Sequence, residues 1–147
     1  MTVAYCTRRP LPELPYHHLA DVQSLAQASD YLVAACPGGA STHHIVNAPV
    51  LQALGPQGFF VNVARGSVVA TADLIDALQH GRIAGAGLDV LEDEPTVPAP
   101  LRALDNLLIT PHMAGRSPVA QAAQTAALLE SLHSHFQGQR PALAVSF

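Results

Sequence analysis

Short apolar runs, each closed by glycine, proline or a polar turn, alternate along this chain with segments carrying helix-start and helix-stop signals. Few folds satisfy that alternation. Residues 2–6 are β-prone and break at a loop holding Pro10, Pro12 and Pro15. Residues 31–36 are continuously apolar and end at Pro37-Gly38-Gly39; residues 59–63 form the next run. Residues 83–90, built largely of small side chains, and residues 107–109, stopped by Thr110-Pro111, complete the set. A continuous apolar run suits a strand buried on both faces of a parallel sheet. Between the runs, Asp21 is placed to cap a helix reaching Ala28. Asn47 caps another, with Pro49 in its first turn and Gly55 at its end. Thr71 opens a third over residues 72–80, with Leu74, Ile75 and Leu78 at helical spacing and Gly81 as its C-cap. Ser117-Pro118 starts a long Ala-rich helix to about Phe136, and residues 138–147 are a tail. The pattern predicts an α/β fold with a parallel sheet and right-handed crossovers. An all-α bundle is excluded, because the runs are short, β-branched or aromatic, and bounded by Gly and Pro.

Composition removes several functions. The 147 residues are 49% hydrophobic with a net charge of -4, enough apolar chain for one core and incompatible with disorder. Seven arginines face eleven acidic residues and no lysine is present. That leaves no basic field for nucleic acid, and rules out a lysine Schiff base or a P-loop lysine. Cys6 and Cys36 are too few for a disulfide framework or a Cys-rich zinc site; they read as small core residues of a reduced, cytoplasmic protein. No apolar run is long enough to span a membrane, and the N-terminus lacks a signal-peptide pattern. His17-His18 and His43-His44 are adjacent pairs in loops, and His133 and His135 diverge on a helix, so no metal site is expected from them.

In open α/β sheets, ligands bind outside the carboxyl ends of the strands. Here those ends carry Pro37-Gly38-Gly39, Ala64-Arg65-Gly66, the acidic stretch Glu92-Asp93-Glu94 after Asp89, and Thr110-Pro111-His112. An Arg, an Asp, a Glu and a His are thus expected to face one crevice, supplying a cation for a substrate carboxylate, a proton donor, and a carboxylate to orient that donor.

The order Asn62-Val63-Ala64-Arg65-Gly66-Ser67-Val68-Val69, Leu74, Ala77-Leu78, Gly85-Ala86-Gly87-Leu88-Asp89-Val90, Glu94-Pro95 and Thr110-Pro111-His112 resembles the D-isomer-specific 2-hydroxyacid dehydrogenases. Within that family it is most similar to glyoxylate/hydroxypyruvate reductases. The resemblance implies a Rossmann-like sheet with flanking helices, and hydride exchange between NADP(H) or NAD(H) and a small 2-oxo acid. It implies that Arg65 grips the substrate carboxylate through its planar fork. It implies that His112 moves the proton and that Glu94, in competition with Glu92 and Asp93, holds the ring's tautomer. Asp89 matches the aspartate that holds the nicotinamide carboxamide; Val63, Ala64, Arg65, His112, Met113 and Ala114 would line that end of the cofactor, with Pro37 nearby. At the first strand's end stand Thr7, Arg8 and Arg9, where an NAD enzyme usually has an acid for the ribose 2′-hydroxyl. Two guanidiniums suit a 2′-phosphate, so NADP(H) is favoured over NAD(H).

A glycine-rich phosphate loop between strand and helix is expected some 20 residues before the ribose-reading position. In this chain that position falls at residues 7–9, and residues 85–87 precede or sit in a strand, so they are no substitute. The expectation is a C-terminal fragment: residues 1–116 a partial nucleotide-binding domain lacking its first strand, and residues 117–147 a helix and tail. That helix would pack on a substrate domain through Ala122, Ala126, Leu129, Leu132 and Phe136. In the strand order 3-2-1-4-5-6 the first strand is central. Without it, residues 3–6 and 31–36 either pair directly or leave a gap. Weak or no NADPH binding and no turnover are expected of the chain alone. The alternatives are an inactive remnant and a non-enzymatic cofactor sensor; a homodimer is the family's usual state.

Overall fold

The computed structural model describes residues 1–145, so Ser146 and Phe147, the end of the expected tail, lie outside the described residues. The elements are β1 (Ala4–Tyr5), β2 (His17–His18), α1 (Val22–Gln27), β3 (Tyr31–Ala34), α2 (Ala48–Leu54), β4 (Phe59–Asn62), α3 (Thr71–Gln79), β5 (Gly85–Leu88), α4 (Ala99–Arg102), β6 (Leu107–Ile109) and α5 (Pro118–Phe136). Two single 3-10 turns, Ala40–Thr42 and Gly66–Val68, follow β3 and β4. The chain divides into two compact units, Met1–His112 and Met113–Phe147.

The caps formed as their chemistry dictates. The Asp21 carboxylate accepts the Ser24 N–H at 2.7 Å to start α1. Asn47 opens α2, and the Ser117 hydroxyl accepts the Ala120 N–H at 3.1 Å to start α5. Helix α3 starts at Thr71 itself, with Ala70 as a cap that makes no side-chain bond, and ends at Gln79: His80 is its C-cap, one residue before the expected Gly81, which follows in the left-handed region at φ 63°.

All strand pairs are parallel, but they form two sheets. One is β1-β2; the other has the order β3-β4-β5-β6. Of the two arrangements open to residues 3–6 and 31–36, the gap is the one adopted: β1 pairs with β2, and among the described residues β3 has a strand neighbour on one side only. Strand β2 falls on His17-His18, a loop by sequence. With two residues it carries too little pattern to be seen, as does the single turn of α4.

The register stacks Leu32, Phe60 and Ala86 across the larger sheet, and Ala34, Asn62 and Leu88 beside them. All six are buried, and the five apolar ones share one core with Ala26 of α1, Val50, Leu51 and Leu54 of α2, and Leu74, Ala77 and Leu78 of α3. Phe60 and Leu51 are fully buried, each contributing about 1.5–3 kcal/mol of apolar transfer. The opposite sheet face is different. Tyr31 is 61% exposed, Val33 55% and Leu108 69%. The expectation that residues 31–36 are buried on both faces is therefore corrected: the strand ends at Ala34 and alternates exposed with buried. Within this unit α1, α2 and α3 contribute to the core on one face of the sheet. Cys6 and Cys36 are likewise half-buried, Cys36 packing against the core from its edge.

Candidate active site

At the carboxyl end of the larger sheet lies an open cleft of about 970 Å³. Its walls are the loops that leave β3, β4 and β5, with His112 beyond β6. Arg65, Glu94 and His112 all line it, along with Pro37, Val63 and Ala64.

Strand β4 ends at Asn62, a fully buried polar residue. Its side chain accepts the Ala64 N–H at 3.0 Å and donates to the Arg65 carbonyl at 2.9 Å. One amide thereby closes the turn that presents Arg65, supplying both a donor and an acceptor. The Arg65 guanidinium donates from Nη1 to the Ala64 carbonyl at 2.6 Å. Gly38 leaves room for the Arg65 stem, because a Cβ there would crowd Arg65 Cβ and Cγ. Gly66 is more constrained: a Cβ there would collide with the backbone of Leu91 and Glu92. The Arg65 turn and the acidic loop are therefore in backbone contact, which only glycine permits.

In the acidic loop, Glu94 is the carboxylate that meets His112, with Oε2 2.8 Å from Nδ1. Its other oxygen accepts the Leu91 N–H at 2.8 Å. The hydrogen bond with His112, and after it the Leu91 N–H, hold the Glu94 carboxyl below the usual carboxylate range. His112 has φ 50°, a left-handed conformation rare outside glycine, and its N–H donates to the carbonyls of Asp89 at 2.9 Å and Thr110 at 3.0 Å. With Nδ1 committed to Glu94, Nε2 is the ring atom left to act on a substrate.

The remaining candidates fall in several places. The expectation that Asp89 faces the crevice is corrected: it is buried, accepts the Thr110 hydroxyl at 2.5 Å, and is not part of the cleft lining. Thr7, Arg8 and Arg9 follow β1; Thr7 donates its hydroxyl to the Arg9 carbonyl at 2.7 Å, and Arg8 reaches Ser41 Oγ at 3.4 Å. Met113 and Ala114 belong to the second unit. Sequence reasoning missed two groups. Asn62 was seen only as part of a motif, although a polar residue ending an apolar run was a usable signal. Glu92 is held by Thr71 Oγ1 at 2.6 Å and His44 Nε2 at 2.5 Å, contacts between positions far apart in sequence.

The residues expected to meet the two ends of a dinucleotide are among those described. Arg8 and Arg9 stand at the carboxyl end of β1, and Val63 and Ala64 line the cleft beside Arg65. Among the described residues, no strand leads through a glycine-rich turn into a helix long enough to cradle a pyrophosphate.

Comparison with known proteins agrees with this architecture. Residues 1–114 match the model of the D-isomer specific 2-hydroxyacid dehydrogenase NAD-binding domain. A hydroxyphenylpyruvate reductase of Plectranthus scutellarioides is 39% identical over 137 residues, covering 93% of this chain and 44% of that protein. A glyoxylate/hydroxypyruvate reductase A of Arabidopsis thaliana is 39% identical with the same coverage. Among solved structures, an NADPH-dependent glyoxylate/hydroxypyruvate reductase of Sinorhizobium meliloti, in complex with NADP and malonate, superposes with a TM-score of 0.85 at 44% identity. That match covers 92% of this chain and 42% of the reductase. The chain thus spans less than half the length of the relatives it matches.

Proposed function

Since the chain belongs to the D-isomer-specific 2-hydroxyacid dehydrogenase family, as its NAD-binding domain, we propose that it serves NADPH-dependent reduction of a small 2-oxo acid of the glyoxylate or hydroxypyruvate type. The observation that supports this reading most is the His112–Glu94 pair, at 2.8 Å, in one cleft with Arg65. The nicotinamide, when bound, supplies the reducing equivalent to the substrate carbonyl carbon. Arg65 holds the substrate carboxylate in two parallel charge-assisted bonds and fixes the carbonyl's position. His112 Nε2 gives a proton to the carbonyl oxygen during reduction and takes it back in the reverse direction. Glu94 keeps Nδ1 protonated, so that Nε2 is the atom that exchanges, and it stabilises the charged ring before transfer. Arg8 and Arg9 favour a 2′-phosphate, and so NADP(H), a preference that agrees with the Sinorhizobium relative's bound NADP.

The chain's residues alone bind NADPH weakly in this reading and do not turn over. Calorimetric titration checks that; micromolar affinity would contradict it. Catalysis is tested in a chimera in which the N-terminal and glycine-loop half of the Sinorhizobium reductase precedes this chain. NADPH oxidation should then depend on glyoxylate or hydroxypyruvate, and Arg65→Gln should lower kcat/KM by roughly 100-fold or more, the worth of two charge-assisted bonds at about 1.5–3 kcal/mol each. Full activity in Arg65→Gln would refute the assignment.

A further inference from the structure

We propose that His44 is a positioning residue: acting through Glu92, it locks the loop that carries Glu94 against the turn that carries Arg65. The inference rests on the reading of Glu94 and His112 given above.

His44 is tied on both sides. Its backbone N–H donates to the Ser67 carbonyl at 2.8 Å, two residues beyond Arg65. Its imidazole Nε2 lies 2.5 Å from Glu92 Oε1, two residues before Glu94. The second Glu92 oxygen accepts the hydroxyl of Thr71, the first residue of α3, at 2.6 Å. Both carboxylate oxygens are thus engaged, by groups from two other segments. Burial pushes the Glu92 carboxyl up, but the bonds from Thr71 and His44 outweigh it and hold the group below its usual range.

The His44 backbone adopts φ 50°, the left-handed region that costs a non-glycine residue of order 1 kcal/mol or more and persists only where surrounding contacts over-determine it. Here the Ser67 bond, the Asn47 amide donating to the His44 carbonyl at 3.3 Å, and the Glu92 contact supply that determination. His44 and His112 share this strained conformation, and each ring faces a carboxylate of the same short acidic loop. The loop is a stiff link between them. Gly66 abuts the backbone of Leu91 and Glu92, and the Leu91 N–H donates to Glu94. Moving Glu92 therefore moves the backbone from which Glu94 reaches His112. Catalytic side chains need placement within a fraction of an ångström, supplied by neighbours whose own rotamers are fixed.

The test reads the tautomer of His112 by 15N NMR of the whole chain, at about pH 9.5, three units above an ordinary histidine. Glu94 holds the neutral ring as Nδ1–H, whereas a free side chain prefers Nε2–H. Glu94→Ala should lower the Nδ1–H to Nε2–H ratio at least tenfold. His44→Leu and Thr71→Val, which do not touch His112, should each lower it at least threefold, and His44→Gln, which retains an N–H for Glu92, should restore most of it. If His44→Leu fails to fold, Thr71→Val decides. A wild-type ratio in Thr71→Val and in every folded His44 variant, with Glu94→Ala giving its tenfold loss, overturns the positioning role and leaves the His112–Glu94 reading standing. A loss in His44→Leu that His44→Gln does not repair, with Thr71→Val unchanged, overturns it too. No response to Glu94→Ala defeats the underlying reading, and the present inference with it.

Discussion

Replacing Asn62 by Ala removes the amide that closes the Arg65 turn, and the cost follows from two bonds. The side chain is fully buried; it satisfies the Ala64 N–H at 3.0 Å and the Arg65 carbonyl at 2.9 Å. Alanine makes neither bond. The Ala64 donor is itself in a buried residue, so water does not replace the lost acceptor freely. An unsatisfied buried group costs about 1–3 kcal/mol. The Arg65 carbonyl lies nearer solvent and belongs at the low end of that range, giving about 2–4 kcal/mol in all. With a urea slope of about 2 kcal/mol per molar, the unfolding midpoint should fall by about 1–2 M at unchanged slope. Asn62→Asp separates the two bonds: it keeps the acceptor for Ala64 and places an anion against the Arg65 carbonyl. It should therefore be no more stable than the alanine variant. A midpoint shift under about 0.3 M for Asn62→Ala, or an Asp variant as stable as the wild type, would refute the argument.

Gly66→Ala should be more disruptive than any ordinary surface change, because its Cβ meets backbone and not a flexible side chain; a circular-dichroism melt within a few degrees of wild type would contradict the close approach. In the larger sheet, Val33→Thr should change stability by no more than about 0.5 kcal/mol, since Val33 is 55% exposed, whereas its neighbour Leu32→Ala, at 4% exposure, should cost about 2–5 kcal/mol by denaturant titration. The Glu94 carboxyl is depressed by His112 and the Leu91 N–H, so its contribution is full above the ordinary glutamate range, near 4.3, and is lost as pH falls through its lowered folded value. A 13C carboxyl titration of Glu94 should accordingly have its midpoint below that range in the wild type and move upward in His112→Ala; a wild-type midpoint above it would reverse the assignment.

Much of the fold was legible because local physics decided it. Asp21, Asn47 and Ser117 each stand where a side-chain oxygen can cap a helix, and α5 begins after Ser117 and ends at Phe136 as its sequence indicates. The strand ends were only roughly legible, since the ladders stop at Ala34 and Leu88, short of the expected ends; of the Arg, Asp, Glu and His expected there in one crevice, Arg65, Glu94 and His112 line it and Asp89 does not. Length limits hid β2 and α4, whose two and four residues carry no periodicity.

Composition and spacing, then, settled the α/β class, the main helix boundaries and the identities of the chemical groups at the sheet's end. The family resemblance already implied that Glu94 meets His112; tertiary structure alone paired Glu92 with His44. It also settled that residues 31–34 have one bare face. The physical reason is range. Caps and turns are made by residues a few positions apart, so a linear reading sees both partners. The 48-residue separation of His44 and Glu92 and the parallel pairing of the strands are closed only when distant segments pack.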